Sequence, residues 1–205
     1  MLQSTIKLLI VLYLYEAKID LTKTLKITKE DIKRGSGIIK LDTLPASYTI
    51  KELAIRTIKY SDNTAYIKLV EWITKEKLQK YSKKIGLLHG LEGKDFFGIT
   101  SVNDMKKILE KIYEYSKEEK ELKEALENPT YKIIESKNIS HQKFLRKYGS
   151  FGIAYHEVGV VESEHPYYLI IMTQKGENSK TKRFINRASK KIAKIHHMIQ
   201  REKGN

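Results

Sequence analysis

Ser4-Thr5-Ile6-Lys7-Leu8-Leu9-Ile10-Val11-Leu12-Tyr13-Leu14-Tyr15 opens the chain with an unbroken apolar run behind a single lysine. A run with no polar face has nothing to show to water, so it predicts a helix from Ser4 to about Ala17 that is buried on all sides in a protein core. It is too short to span a bilayer. The charged Glu16-Ala17-Lys18-Ile19-Asp20 that follows offers no small-x-small cleavage site, which argues against a signal peptide. Ser4 and Lys7 lie three apart, on one face of that helix and within side-chain reach.

Working outward, Ile19-Asp20-Leu21-Thr22 reads as a connector and Gly35-Ser36-Gly37 as a backbone turn. Thr49 followed by Glu52 is a capping-box pattern, and Leu53, Ile55 and Ile58 continue a helix from it. Ser61-Asp62-Asn63 stops that helix, because short polar side chains compete for backbone hydrogen bonds. Further helices are expected from about Thr64 to Trp72, from Lys75 to Ile85 with Gly86 as its C-cap, from Ser101 to Tyr115 and from Glu118 to Leu126, where Pro129 intervenes. From Phe144 the period changes from about 3.6 to about 2. Three β-rich runs, near Phe144 to Ala154, Tyr155 to Glu162 and Tyr167 to Gln174, predict an antiparallel meander. A closing helix from about Ser179 to Gln200 carries Phe184, Ala188, Ile192, Ile195 and Ile199 at helical spacing, a stripe expected to lie on the sheet. Helices, a meander and a final helix make an α+β fold. The expected organisation is one domain over 1–205, with a mainly helical part at 1–140 and the sheet and last helix at 141–205.

The composition, 40% hydrophobic and 31% charged, is that of a globular chain rather than a disordered one. There is no cysteine, so disulfides and thiolate metal sites are excluded. A net charge of +14 invites an anionic partner, whether nucleic acid, an anionic lipid surface or an acidic cell-wall polymer. The basic residues are interleaved with Glu in most predicted helices, as in Lys75 to Lys84 and Lys117 to Lys123, which is the pattern of solvated faces and argues against nucleic acid. No metal site is expected: His156-Glu157 lacks the second histidine of a zinc-protease helix, and the adjacent His196 and His197 point different ways.

Three short motifs then occur in order: Ser4-Thr5-Ile6-Lys7, Ser61-Asp62-Asn63 and Lys147-Tyr148-Gly149. Each alone is weak, but together they resemble the Ser-x-x-Lys, Ser-Asp-Asn and Lys-Thr-Gly series of class A β-lactamases and penicillin-binding proteins. Gly35-Ser36-Gly37-Ile38-Ile39, Tyr48-Thr49-Ile50-Lys51-Glu52-Leu53, Thr64-Ala65 and His156-Glu157-Val158-Gly159-Val160-Val161 extend the likeness over nearly the whole chain.

The resemblance implies a β-lactamase/transpeptidase-like fold and a serine hydrolase of β-lactamase or D-Ala-D-Ala carboxypeptidase type, without a cofactor. Ser4 would be the nucleophile, a poor one until a base removes its proton. Lys7 would be that base, once burial and the nearby Lys147 lower its pKa. Ser61 would relay a proton to the leaving nitrogen, and Asn63 would hold substrate or Lys7. Lys147 would attract the substrate carboxylate beside Tyr148 and Gly149, and the backbone N–H groups of Ser4 and Ser150 would form the oxyanion hole. The implied ligand is a β-lactam or a peptidoglycan stem peptide, and the implied location is extracytoplasmic.

Three departures qualify the likeness. No Glu-x-x-Leu-Asn loop supplies the family's deacylating glutamate; Glu92 and Asp95 are the carboxylates available, so an acyl-enzyme is expected to persist. Tyr148 stands where the family has a small hydroxyl residue. Only three residues precede Ser4, whereas the family places a helix and two strands there; the expectation is an open edge on Tyr167 to Gln174, covered by further chain or by a homo-oligomer. Competing readings are a catalytically silent peptidoglycan-binding module, and a basic polymer- or nucleic-acid-binding protein. In these Ser4 is only a helix cap, Ser61-Asp62-Asn63 only a helix stop and Lys147 one more edge-strand lysine.

Overall fold

The computed structural model describes residues 4–90 and 100–203. The opening run forms a 3-10 turn, Ser4–Ile6, that continues as α1, Lys7–Glu16. Leu8, Leu9, Ile10, Val11, Leu12 and Leu14 are fully buried. Each such side chain is worth about 1.5–3 kcal/mol relative to exposure. The shell around α1 consists of α2 (Ile50–Lys59), α3 (Asn63–Ile73), α4 (Lys75–Lys84) and α5 (Val102–Glu118), each in contact with it. The helix α6 (Lys120–Glu127) joins α2 and α5 to the sheet.

Local chemistry sets these boundaries. Thr49 Oγ1 accepts the Glu52 N–H at 3.1 Å while Glu52 accepts the Thr49 N–H at 2.7 Å, a reciprocal cap on α2. Ser101 and Asp104 do the same for α5. Asp104 also accepts the N–H groups of Leu88 and His89, tying down the start of the segment after α4. That helix ends at Lys84, with Ile85 as C-cap and Gly86 at φ +71° beyond it.

The period-2 region is the expected meander: β3 (Lys143–Phe151), β4 (Ala154–Glu162) and β5 (Tyr167–Thr173), antiparallel in the order β3-β4-β5. Alternation gives the sheet two faces. Leu145, Val158 and Val160 join the core around α1, whereas Phe144, Tyr155, Val161, Leu169 and Ile171 form a second cluster with Ile185 of α7 (Ser179–Lys203) and with Ile133, Ile134 and Ile139. Gly159 lets β3 and β4 approach: a Cβ there would collide with the Leu145 carbonyl and the Phe144 ring.

Two features depart from the sequence reading. A two-stranded ribbon, β1 (Thr24–Ile27) paired with β2 (Ala46–Thr49), lies within the helical part. Four-residue strands carry too little periodicity to be read from sequence. The stripe that α7 sets on the sheet is Thr181, Ile185, Ser189 and Ala193; of the expected Phe184, Ala188, Ile192, Ile195 and Ile199, only Ala188 packs, half-buried, against the cluster there. Of the latter, Phe184, Ile192, Ile195 and Ile199 are exposed. The buried hydroxyls are satisfied locally, Ser189 by the Asn186 carbonyl at 2.9 Å and Thr181 by Asn178 at 3.2 Å, so small side chains carry the helix close to the sheet without orphaned polar groups.

Gly159→Ala is expected to destabilise the fold by about 1–3 kcal/mol, the range for overpacking. The added methyl can be accommodated only by separating β3 from β4, and urea denaturation measures the loss.

Candidate active site

Ser61 occupies the junction of α2 and α3 in the left-handed region, φ +52°. A residue with a Cβ takes that conformation at a cost of roughly 1–2 kcal/mol. The conformation turns both of its oxygens toward the start of α1. Lys7 Nζ donates to the Ser61 carbonyl at 2.6 Å, reaches Ser61 Oγ at 3.3 Å and donates to Asn63 Oδ1 at 2.7 Å. From the opposite side, Lys147 Nζ of β3 donates to the same Ser61 Oγ at 3.0 Å. Two fully buried lysines therefore converge on one hydroxyl.

The electrostatics follow from that convergence. Burial, and then the charge of Lys147, hold Lys7 well below the usual lysine pKa, while Asp62 opposes the shift. Burial brings Lys147 down to about 7, partly offset by Glu157. A neutral Lys7 has two N–H donors, which match its two short contacts to Ser61 O and Asn63 Oδ1, and one lone pair left to accept a proton. The Tyr66 ring, its centroid 5.5 Å from Lys7 Nζ, closes the pocket.

Asp62 is the scaffold of the site, a part the sequence reading gave it no role in. It caps α3 through the Ala65 N–H at 3.0 Å and accepts the N–H groups of Ile38 and Ile39 at 2.6 and 2.9 Å. This fastens the Gly35-Ser36-Gly37 turn over Asn63, whose Nδ2 donates to the Arg34 carbonyl at 2.8 Å. Gly37, at φ +130°, has no room for a Cβ, which would collide with Asp62. The signals available in the sequence were the Gly35-Ser36-Gly37 spelling and, separately, an aspartate at the start of α3; their contact is tertiary.

The predicted residues divide into two groups. Lys7, Ser61, Asn63 and Lys147 meet. Ser4 lies in the 3-10 turn against β3 and β4, three residues before Lys7, and among the described residues its hydroxyl has no hydrogen bond. Gly149 is buried opposite His156. The side chains of Tyr148 and Ser150 leave from the other face of β3. Both donate to Glu177 Oε2, at 2.8 and 2.6 Å, and the Tyr148 ring stacks on Tyr131 with centroids 5.6 Å apart. The bulky ring at the family's small-hydroxyl position thus points away from Lys147. Glu92 and Asp95 lie outside the described residues. Glu157, wholly buried, faces Arg146 at 3.5 Å and accepts the N–H groups of Ile133 and Ile134 at 3.0 and 2.6 Å, anchoring that segment to the sheet.

The sequence matches the family model described as the Beta-lactamase enzyme family over residues 1–196. Among solved structures, PBP-A aligns with a TM-score of 0.81 at 18% identity, covering 95% of this chain and 80% of that one. A β-lactamase from Sphaerobacter thermophilus aligns at 0.80 and 16% identity, covering 93% and 81%. One from Francisella tularensis aligns at 0.75 and 21%, covering 96% and 86%. At these identities the likeness is one of fold. No curated protein matches the chain.

The lysine pair makes stability depend on pH with a definite sign. Between about 7 and the ordinary lysine value of 10.5, the unfolded chain binds a proton at Lys147 that the folded chain does not. Stability should therefore rise with pH through that window, with a slope approaching about 1.4 kcal/mol per unit from this group. Lys147→Met should flatten the rise between pH 7 and 9.5, as measured by urea denaturation at half-unit steps. An unchanged slope would mean that Lys147 titrates normally.

Proposed function

Because the chain belongs to the β-lactamase enzyme family, we propose that it is a serine hydrolase acylated at Ser4 by β-lactams or D-alanyl peptides and slow to release the acyl group. The observation that carries this reading is the convergence on the Ser61 hydroxyl of Lys147 and of Lys7, which opens α1 three residues after Ser4. A mutant of the similarly folded PBP-A forms an acyl-enzyme complex with penicillin G, which supports a covalent adduct as the expected product.

In this scheme a neutral Lys7 accepts the Ser4 proton as Oγ attacks the carbonyl carbon, and the tetrahedral oxyanion forms against the N–H groups of Ser4 and Ser150. Collapse breaks the C–N bond. The leaving nitrogen takes the Ser61 proton, which is replaced along the line Lys7–Ser61–Lys147 whose contacts already exist. The charge of Lys147 draws the substrate carboxylate to β3, and Asn63 fixes Lys7. Hydrolysis of the ester needs a base for water, and no Glu-x-x-Leu-Asn loop supplies one, so the acyl-enzyme persists. The substrates named belong outside the cytoplasm, and we place the protein there.

Intact-mass measurement after incubation with a fluorescent penicillin should show one persistent adduct, absent in Ser4→Ala and formed at least about 100-fold more slowly in Lys7→Ala, the lower range for loss of a general base. The acylation step should speed up with pH as Lys7 loses its proton below the usual lysine range, and capture of the substrate carboxylate should weaken above about 7 as Lys147 loses its charge. Absence of any adduct or turnover would leave a silent binding module. Rapid turnover would show that some other group activates water.

A further inference from the structure

The helix α7 carries nine lysines and arginines, Lys180, Lys182, Arg183, Arg187, Lys190, Lys191, Lys194, Arg201 and Lys203, against one acidic residue, Glu202. It thus supplies +8 of the chain's +14. All nine basic side chains are exposed, and among the described residues none forms a salt bridge, in contrast to the paired lysines of the helical part such as Lys51, Lys68, Lys111 and Lys123. The same helix also exposes Phe184, Ile195, Met198 and Ile199, each 44–55% accessible, alongside the stripe that faces the sheet. A groove of about 460 Å³ between the end of β5 and the start of α7 continues this surface. It is lined by Thr173, Lys175, Asn178, Lys180, Thr181 and Phe184.

We propose that the outer face of α7, with the adjoining groove, docks the protein on an anionic lipid bilayer. A helix with a dense basic face and a separate apolar shoulder lies in a membrane interface, its apolar side chains among the acyl chains and its cations at the phosphates. The charge sets the sign of the partner, since a second copy docking through the same helix would bring +8 against +8. The apolar side chains select lipid over nucleic acid, whose backbone rewards cations but offers nothing to isoleucine and phenylalanine. Lys175 and Lys180 flank the groove where a headgroup phosphate and its first methylenes would sit. This inference rests on α7 and β5 alone and is independent of acylation at Ser4.

Co-sedimentation of the full chain with vesicles tests it. Partition onto phosphatidylcholine vesicles containing 30% phosphatidylglycerol should exceed that onto pure phosphatidylcholine by at least about tenfold and should weaken with salt. Both Lys190→Glu/Lys194→Glu and Ile195→Ser/Ile199→Ser should lower it by about tenfold, because lipid binding uses charge and apolar area together. These residues are exposed, and circular dichroism confirms that the variants fold. Failure to sediment with anionic vesicles overturns the proposal. So does binding that the isoleucine pair leaves unchanged, and so does a labelled 30-mer of DNA that binds more tightly than the vesicles.

Discussion

Burying a lysine costs several kcal/mol unless its charge is lost or matched, and this fold buries two of them against a single serine hydroxyl. Much of the surrounding structure exists to make that arrangement tolerable. Asp62 and Glu157 are the buried carboxylates whose fields act on the pair. Neither lies in direct contact with a lysine of the site, so the pair keeps depressed affinities for protons rather than collapsing into ion pairs. Both carboxylates are instead held by backbone N–H groups, which fixes their positions and binds the Gly35–Gly37 turn and the Ile133–Ile134 segment to the two halves of the site.

The fold supplies the geometry from three directions. The buried helix α1 sets Lys7, and a left-handed residue between α2 and α3 presents both oxygens of Ser61. Edge strand β3 presents Lys147 on one face and Tyr148 on the other. Because side chains alternate along a strand, the ring that would crowd a small pocket is directed to Glu177 behind the sheet, while Lys147 stays with the helices. Gly159 is what lets β3 lie close enough to β4 for this to hold.

The sequence made the helical shell legible, because capping boxes such as Thr49/Glu52 and Ser101/Asp104 are local chemistry, and it made the meander legible through the change of period at Phe144. Lys7, Ser61 and Lys147 were reachable through their motifs, though nothing in the letters separates a buried lysine from the many solvated ones. That distinction comes from tertiary packing. The same limit explains α7, where two stripes compete at helical spacing and the less apolar one faces the sheet because small residues allow closer approach. The β1–β2 ribbon was too short to show a period, and Glu177, which receives Tyr148 and Ser150, carries no local signature.

The central claim is that Lys7 and Lys147 are lysines of lowered pKa coupled through Ser61. Following the side-chain nitrogens by NMR in ¹⁵N-lysine-labelled protein, with Lys7→Met and Lys147→Met for assignment, tests it most directly. Two resonances should titrate well below the remaining lysines, one of them, that of Lys147, near 7, and removing Lys147 should raise the midpoint of Lys7. If every lysine titrates near the ordinary value of 10.5, the pair is charged in the folded protein and Lys7 cannot serve as the base.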